Sequence, residues 1–360
     1  MSKHSGSVDF IRNIKDMMSG NRDMCLAAII CLIAFTPVAV ILAASMKPPY
    51  AVAAERVLDP DRIYAAATAP ASLEPPLLAD EALRYPTRYS GKKDKLKVEW
   101  VDLYRGNLVL VNNSHPLPEE YEPENLIVIN DALDYMSASG LSVSKSQMLL
   151  NQSAGEYLED LANAAYEESR VRGYLLLSGY RDFAYQSNLH QRKIQEYRAY
   201  GYGEAEAVNA AAFWVARPRQ SEHHTGLAMD VTSRSHPELT PSFAYTENGS
   251  WLAEHCRRFG FIIRYPESKS GITMVGFEPW HIRYVGKPHC ELIASMSWCL
   301  EEYLEFLATE GGATFKDAQG AIWQIDYDPL GDGVVEVPAD LPYTISGDGD
   351  GGFIITARLE

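Results

Sequence analysis

Residues 221–231 read SEHHTGLAMDV, and residues 278–286 read EPWHIRYVG. GLAMDV alternates, so a strand there puts Leu227, Met229 and Val231 on one face and Ala228 and Asp230 on the other. Asp230 then points away from the apolar set. Gly226 lets the backbone turn between a loop carrying His223 and His224 and the strand carrying Asp230. In the second stretch, Pro279 disfavours a continuous helix between Glu278 and His281, which places both at a loop entering a strand. The two stretches together supply at least two usable histidines, an aspartate and a spare glutamate. That set suits a catalytic zinc: three N/O ligands leave one tetrahedral position open, and a carboxylate that is not a ligand can serve as base.

Working outward, apolar residues at Met148, Leu149, Tyr157, Leu158, Leu161, Ala164, Ala165 and Val171 recur at helical spacing between Ser146 and Arg172. YLLLSGYR at 174–181 reads as a buried strand ending at Gly179, and a second helix follows over about 185–200. WLAEHCRRFG at 251–260 reads as a helix ended by Gly260, and FIIRYP at 261–266 as a strand with Pro266 at its exit. Upstream, LVLVNN at 108–113 reads as a short strand where the folded domain begins, and ELIASMSWCLEEYLEFL at 291–307 as one closing amphipathic helix. Helices and strands mix without a regular βαβ repeat. That predicts an α+β domain over residues 96–308, a mostly antiparallel sheet with flanking helices. From 309 to 360 the chain changes to AIWQIDYDP, GVVEVPA, YTISGD and GFIITARL, short strands that predict a small all-β appendage. Its GDGDGG at 347–352 is read as a hairpin turn, because the twelve-residue calcium pattern with a terminal Glu is absent.

The 360 residues are 46% hydrophobic and 22% charged, ordinary globular composition with enough apolar surface for a real core. A net charge of −16 argues against nucleic acid as a partner, since phosphate backbones are bound by Lys and Arg clusters. The run from Cys25 to Met46 holds 22 residues without a charge. Roughly 20 are needed to cross a bilayer, so this run is expected to be a transmembrane anchor. Its length favours an uncleaved anchor over a signal peptide, although AVAA at 51–54 would offer small residues for cleavage. Lys3, Arg12, Lys15 and Arg22 precede the run while Lys47, Arg56 and Arg62 follow it, which places residues 1–24 in the cytoplasm and the main domain outside the cell membrane. Residues 47–95, rich in Ala, Pro and scattered charge, read as a tether. Outside the run, Cys256, Cys290 and Cys299 fit no CxxC metal cluster and are expected to be buried as small apolar residues.

The ordered motifs S-x-H-x-x-G-x-A-x-D, then E-x-W-H, with SGYR upstream, resemble those of the zinc D-alanyl-D-alanine carboxypeptidases of the VanY type, related in fold to sonic hedgehog. The likeness covers roughly residues 100–305, taking in LVLVNNSHPLP, SGYRDFAYQ, SEHHTGLAMDV, EPWHIRYVG and CLEEYL. It implies zinc held by His223, Asp230 and His281, with Glu278 as general base and then as acid to the leaving amine. Arg181, in SGYR, would polarise the scissile carbonyl and stabilise the oxyanion. Ser221 and Gln186 fall where relatives contact the substrate backbone or its terminal carboxylate. The pattern leaves the His224 position variable, so His223 is the named ligand. Asp182, where relatives often carry a neutral residue, is expected to diverge from Arg181 at the strand exit. Trp280 is read as packing that fixes the ligand loop.

The implied activity is removal of terminal D-alanine from peptidoglycan stem peptides or their precursors. Two alternatives stay open: L,D-carboxypeptidase or endopeptidase activity on the same fold, and a zinc-containing module that binds cell wall without catalysis.

Overall fold

A computed structural model describes residues 89–133 and 137–359. Residues 1–24, the apolar run at 25–46 and the tether as far as residue 88 lie outside the described residues. Among the described residues no helix is long and apolar enough to cross a membrane.

In chain order the strands are β1 (Lys93–Lys97), β2 (Leu126–Val128), β3 (Ser142–Val143), β4 (Leu149–Asn151), β5 (Tyr174–Ser178), β6 (Ala228–Ser233) and β7 (Phe261–Tyr265), followed by β8 (Glu278–Tyr284), β9 (Gly312–Lys316), β10 (Ile322–Pro329), β11 (Val334–Pro338), β12 (Tyr343–Gly347) and β13 (Gly352–Arg358). The longer helices are α1 (Gln152–Ser169), α2 (Phe183–Ala199), α3 (Glu204–Ala212), α4 (Glu247–His255), α5 (His289–Ser295) and α6 (Leu300–Glu310).

The sheet that carries the site has the order β3-β5-β6-β8-β7, parallel at β3/β5 and antiparallel at the other three pairings. The α+β expectation with a mostly antiparallel sheet holds. Helix α1 starts where the Asn151 side chain accepts the Ser153 N–H at 3.1 Å, and it stops at Arg170, whose φ of 60° is left-handed. Its stripe of Leu158, Leu161, Ala162 and Ala165 is buried in one cluster with Tyr174, Leu176, Met229, Val231 and Ile282 from the sheet. Burying a leucine of that kind contributes about 1.5–3 kcal/mol. The alternation read in GLAMDV is observed: Met229 and Val231 join this core, and Asp230 turns to the opposite face.

Four expectations need correction. LVLVNN at 108–113 forms no strand. All four of its apolar side chains are buried, and its backbone donors go to single acceptors, Leu108 N to Ser346 Oγ at 2.9 Å and Leu110 N to Asp348 O at 2.8 Å. The helix expected from Ser146 begins only at Gln152, because residues 149–151 pair with β2. The single closing helix is two, α5 and α6, broken at residues 296–299, where Ser297 has φ 55° and Glu302 caps the new helix through Cys299 N at 2.8 Å. The break lets Leu292 and Ile293 of α5, and Leu300, Tyr303 and Leu307 of α6, enter one core together. Glu278 lies in no loop; it is the first residue of β8, paired with Tyr265.

The C-terminal strands form an antiparallel sheet of order β12-β13-β10-β9. Phe315, Ile325 and Ile354 from it share a core with α5 and α6, so this sheet is packed into the domain through apolar side chains. The expected tether boundary at 95 falls within β1, which pairs with β11. At 347–352 the expected hairpin turn is present: Asp348 Oδ1 accepts the N–H groups of Asp350, Gly351 and Gly352 at 2.7, 2.9 and 3.1 Å. Cys256, Cys290 and Cys299 are free and buried, as expected.

Gly226 has φ 72°, and a Cβ there would stand 2.5 Å from Leu126 Cδ2 and 3.0 Å from Asn151 N. The Asn151 N–H donates to Gly226 O at 2.9 Å, which ties the start of α1 to the loop leading into β6. Gly226→Ala is therefore expected to cost about 2 kcal/mol or more, from left-handed strain plus overpacking. A lower denaturant midpoint at unchanged slope would show it; an unshifted midpoint would contradict this reading of the turn.

Candidate metal centre

Strand pairing sets one row of the site. Asp230 on β6 stands directly opposite His281 on β8 and opposite Ser178 on β5. The register shifts in β5 between 176 and 178 and in β7 between 263 and 265, both beside this row. Such bulges re-aim side chains next to functional sites. His223 comes from a 3-10 turn, Glu222–Thr225, which Gly226 closes. One ligand atom from each of His223, Asp230 and His281 lies within 4.8 Å of the others, and all three residues are buried. His223 Nε2 is 3.4 Å from Asp230 Oδ2, and His281 Nδ1 is 3.2 Å from Asp230 Oδ1.

These donors fit a zinc ion. Gly179 O accepts the His223 Nδ1–H at 2.7 Å, which fixes the tautomer and leaves the Nε2 lone pair turned to the site. Gly179 can make this contact because its backbone is close to β4, where a Cβ would meet Leu149 O at 2.4 Å. Burial and the nearby Arg181 guanidinium push His223 down to about 4, so it is neutral, as a ligand must be. Burial alone would raise the Asp230 carboxyl, but His223 and Arg181 outweigh it and hold Asp230 well below the usual carboxylate range. His281 behaves oppositely: burial favours its neutral form, yet the Asp230 and Glu222 carboxylates beside it raise it to about 9.

Glu278 Oε2 stands 3.5 Å from His281 Nδ1. Burial raises this carboxyl to about 8 against the opposing pull of His281. Arg181 is held on three sides: Nε donates to Ser178 Oγ at 2.8 Å, Nη1 to Gln186 Oε1 at 3.4 Å, and Nη2 to Asp230 Oδ2. The guanidinium thus meets the carboxylate of the candidate metal centre itself, a contact the sequence did not suggest. Gln186 is fully buried, its amide also donating to Ala216 O at 2.7 Å. Ser221 is buried in the same cavity wall. That cavity, of about 360 Å³, is lined by Arg181, Gln186, Ser221, Glu278 and Trp280, with Leu239 at an exposed position. Trp280 serves both as wall and as core.

His224 is not among the three. Its Nδ1–H donates to Arg181 O at 2.6 Å and its Nε2 accepts the Arg219 N–H at 3.1 Å, so both nitrogens are committed to backbone. Asp182 diverges from Arg181 as expected, capping α2 by accepting the Tyr185 N–H at 2.6 Å. Behind His223, Asp230 and His281 stand charged groups that no motif singled out: Glu222, Arg264 and Arg283, all with fully buried side chains. Their signal was present. An arginine inside the apolar runs FIIRY and HIRYV needs a buried anion, and Glu222 adjoins the ligand histidine.

Comparison with known proteins gives one picture. The family model VanY, D-alanyl-D-alanine carboxypeptidase, matches residues 147–287. A D-alanyl-D-alanine carboxypeptidase of Enterococcus faecium is 32% identical over 256 residues, which is 71% of this chain and 76% of that protein. The crystal structure of the vancomycin resistance D,D-dipeptidase VanXYg, in complex with a D-Ala-D-Ala phosphinate analog, is 27% identical with a TM-score of 0.61, covering 74% of this chain and 100% of that one. A vancomycin resistance D,D-pentapeptidase VanY in complex with Zn(II) is 36% identical with a TM-score of 0.45, covering 55% of this chain and 98% of that one.

Proposed function

This chain belongs to the VanY family of D-alanyl-D-alanine carboxypeptidases, and on that premise we propose that it removes the terminal D-alanine of peptidoglycan stem peptides or their precursors. The observation that carries the proposal is the convergence of His223, Asp230 and His281 with a buried, proton-holding Glu278 and a fixed Arg181 in one cavity. Its volume, about 360 Å³, suits the end of a peptide.

His223, Asp230 and His281 would hold the zinc, which when bound supplies a Lewis acid and brings the pKa of water towards about 7. Glu278 would act as general base on the attacking water and then as acid to the leaving amine. Its raised carboxyl suits both directions of transfer near neutrality. Arg181 turns its guanidinium to the oxyanion, aimed by Ser178 and Gln186. Ser221 and Gln186 line the wall beside it, where the substrate backbone or terminal carboxylate would run. The apolar run at 25–46 is read as an anchor that leaves the domain outside the cell, where the wall polymer lies.

The purified chain is expected to release D-alanine from a pentapeptide ending in D-Ala-D-Ala, to stop after chelation and to recover with zinc. Intact cells should trim the same peptide supplied from outside. Mass spectrometry separates the rivals: alanine lost only from tetrapeptide, or an internal cut, would replace the D,D reading. Binding to peptidoglycan that survives chelation, with no product formed, would favour a wall-binding module.

A further inference from the structure

Behind the metal ligands lies a set of buried charges that balance one another. Glu222 Oε1 accepts from Arg264 Nε at 2.8 Å and forms an ion pair with Arg283 Nη1, also at 2.8 Å. Arg264 forks onto Glu301 of α6 with its two terminal nitrogens, at 2.8 and 2.7 Å. Arg283 Nη2 donates to Asn107 O and Val109 O at 2.9 and 3.0 Å. Two carboxylates thus face two guanidiniums, and no net charge is left buried in the set. Burial would raise the Glu222 carboxyl, but the two arginines outweigh it and keep it ionised.

One oxygen stays unused. Glu222 Oε2 has no hydrogen-bond partner, and neither has His281 Nε2, which faces it at 3.9 Å. The other nitrogen of that ring, Nδ1, faces Asp230 Oδ1 and Glu278 Oε2 at 3.2 and 3.5 Å. A neutral imidazole carries one N–H and one lone pair, so the acceptor it meets decides which nitrogen can bind metal.

We propose that Glu222 is a positioning residue for the metal: it holds His281 as the Nε2–H tautomer, with the Nδ1 lone pair turned to zinc. This rests on the zinc site proposed above, and it makes the two histidines bind through opposite nitrogens, His223 through Nε2 and His281 through Nδ1. Arg264 and Arg283 fix the carboxylate, and Glu301 fixes Arg264 from α6. The order Glu301, Arg264, Glu222, His281 links the last helix of the domain to a ligand on β8.

The test measures zinc affinity of the full chain by competition with a chromophoric chelator, the Tm of the metal-free protein, and the nitrogen-15 shifts of zinc-loaded, histidine-labelled wild type. Glu222→Gln is expected to weaken zinc about 10–100-fold, the usual cost of losing such an outer partner. Glu301→Gln removes the outer support of Arg264 without touching His281; it should lower Tm and leave zinc affinity at the wild-type value. Wild-type affinity in Glu222→Gln, equal weakening in both variants, or His281 bound to zinc through Nε2 would each overturn the proposal. Should Glu222→Gln fail to fold, the wild-type spectrum decides alone. No measurement uses substrate: zinc bound in this way without D-alanine release would refute the peptidase reading and leave the positioning role standing, whereas a wild type that takes up no zinc would refute both.

Discussion

Replacing Glu278 by glutamine is expected to lower turnover by about two to four orders of magnitude while the protein keeps its zinc. The change alters none of the proposed ligands, since the donor atoms that converge belong to His223, Asp230 and His281. Glutamine matches glutamate in volume, so the fully buried site and the start of β8 should not collapse. What disappears is the carboxylate that lines the cavity beside the three donors without being one of them, and an amide cannot take up and return a proton. kcat should fall with little change in KM, because the lost interaction belongs to the transition state. Zinc content by mass spectrometry and kcat on a D-Ala-D-Ala pentapeptide read the two halves of the expectation. Undiminished turnover would sink the base assignment; loss of zinc would make Glu278 a ligand.

Arg181→Met should lower kcat by about 10²–10³-fold, the usual cost of one oxyanion donor. The structure adds a second expectation that a surface arginine would not share. In the metal-free state the guanidinium and Asp230 hold one another, both largely buried. Removing the cation leaves a buried carboxylate without it, which costs about 3–5 kcal/mol in the metal-free protein. Zinc supplies the missing positive charge, so the loss should be reversed on loading, and zinc should bind at least as tightly as to wild type. Thermal unfolding with and without zinc, beside kcat, tests both effects. A variant with normal kcat, or one destabilised equally with and without zinc, would show that Arg181 serves the fold and takes no part in the reaction.

Much of the site was legible because its ligands lie in short, ordered runs. The alternation of GLAMDV fixed the face of Asp230, and Gly226 placed His223 in the turn before β6, whereas the loop read from Pro279 is strand, with Glu278 and His281 both within β8. The family resemblance separated His223 from His224, and the structure supplies the cause, since both nitrogens of His224 are bound to backbone. Less legible was anything that depends on which strand lies beside which. The pairing of Asp230 with His281 across β6 and β8 joins residues far apart in sequence, and no local periodicity encodes it. LVLVNN carries strand propensity, yet its backbone finds isolated acceptors in the C-terminal sheet, so burial was read correctly and pairing was not.

Residue identity and local period were thus enough for the α+β class, the acidic character and a histidine- and carboxylate-rich candidate site, and the family resemblance of the motifs named the three donors. Tertiary structure alone decided the rest: the grip of Arg181 on Asp230, the raised carboxyl of Glu278, and the buried Glu222 cluster behind His281. Each of these arises from charges brought together out of water by distant strands. Their strength comes from burial and distance, which a linear order of residues does not contain.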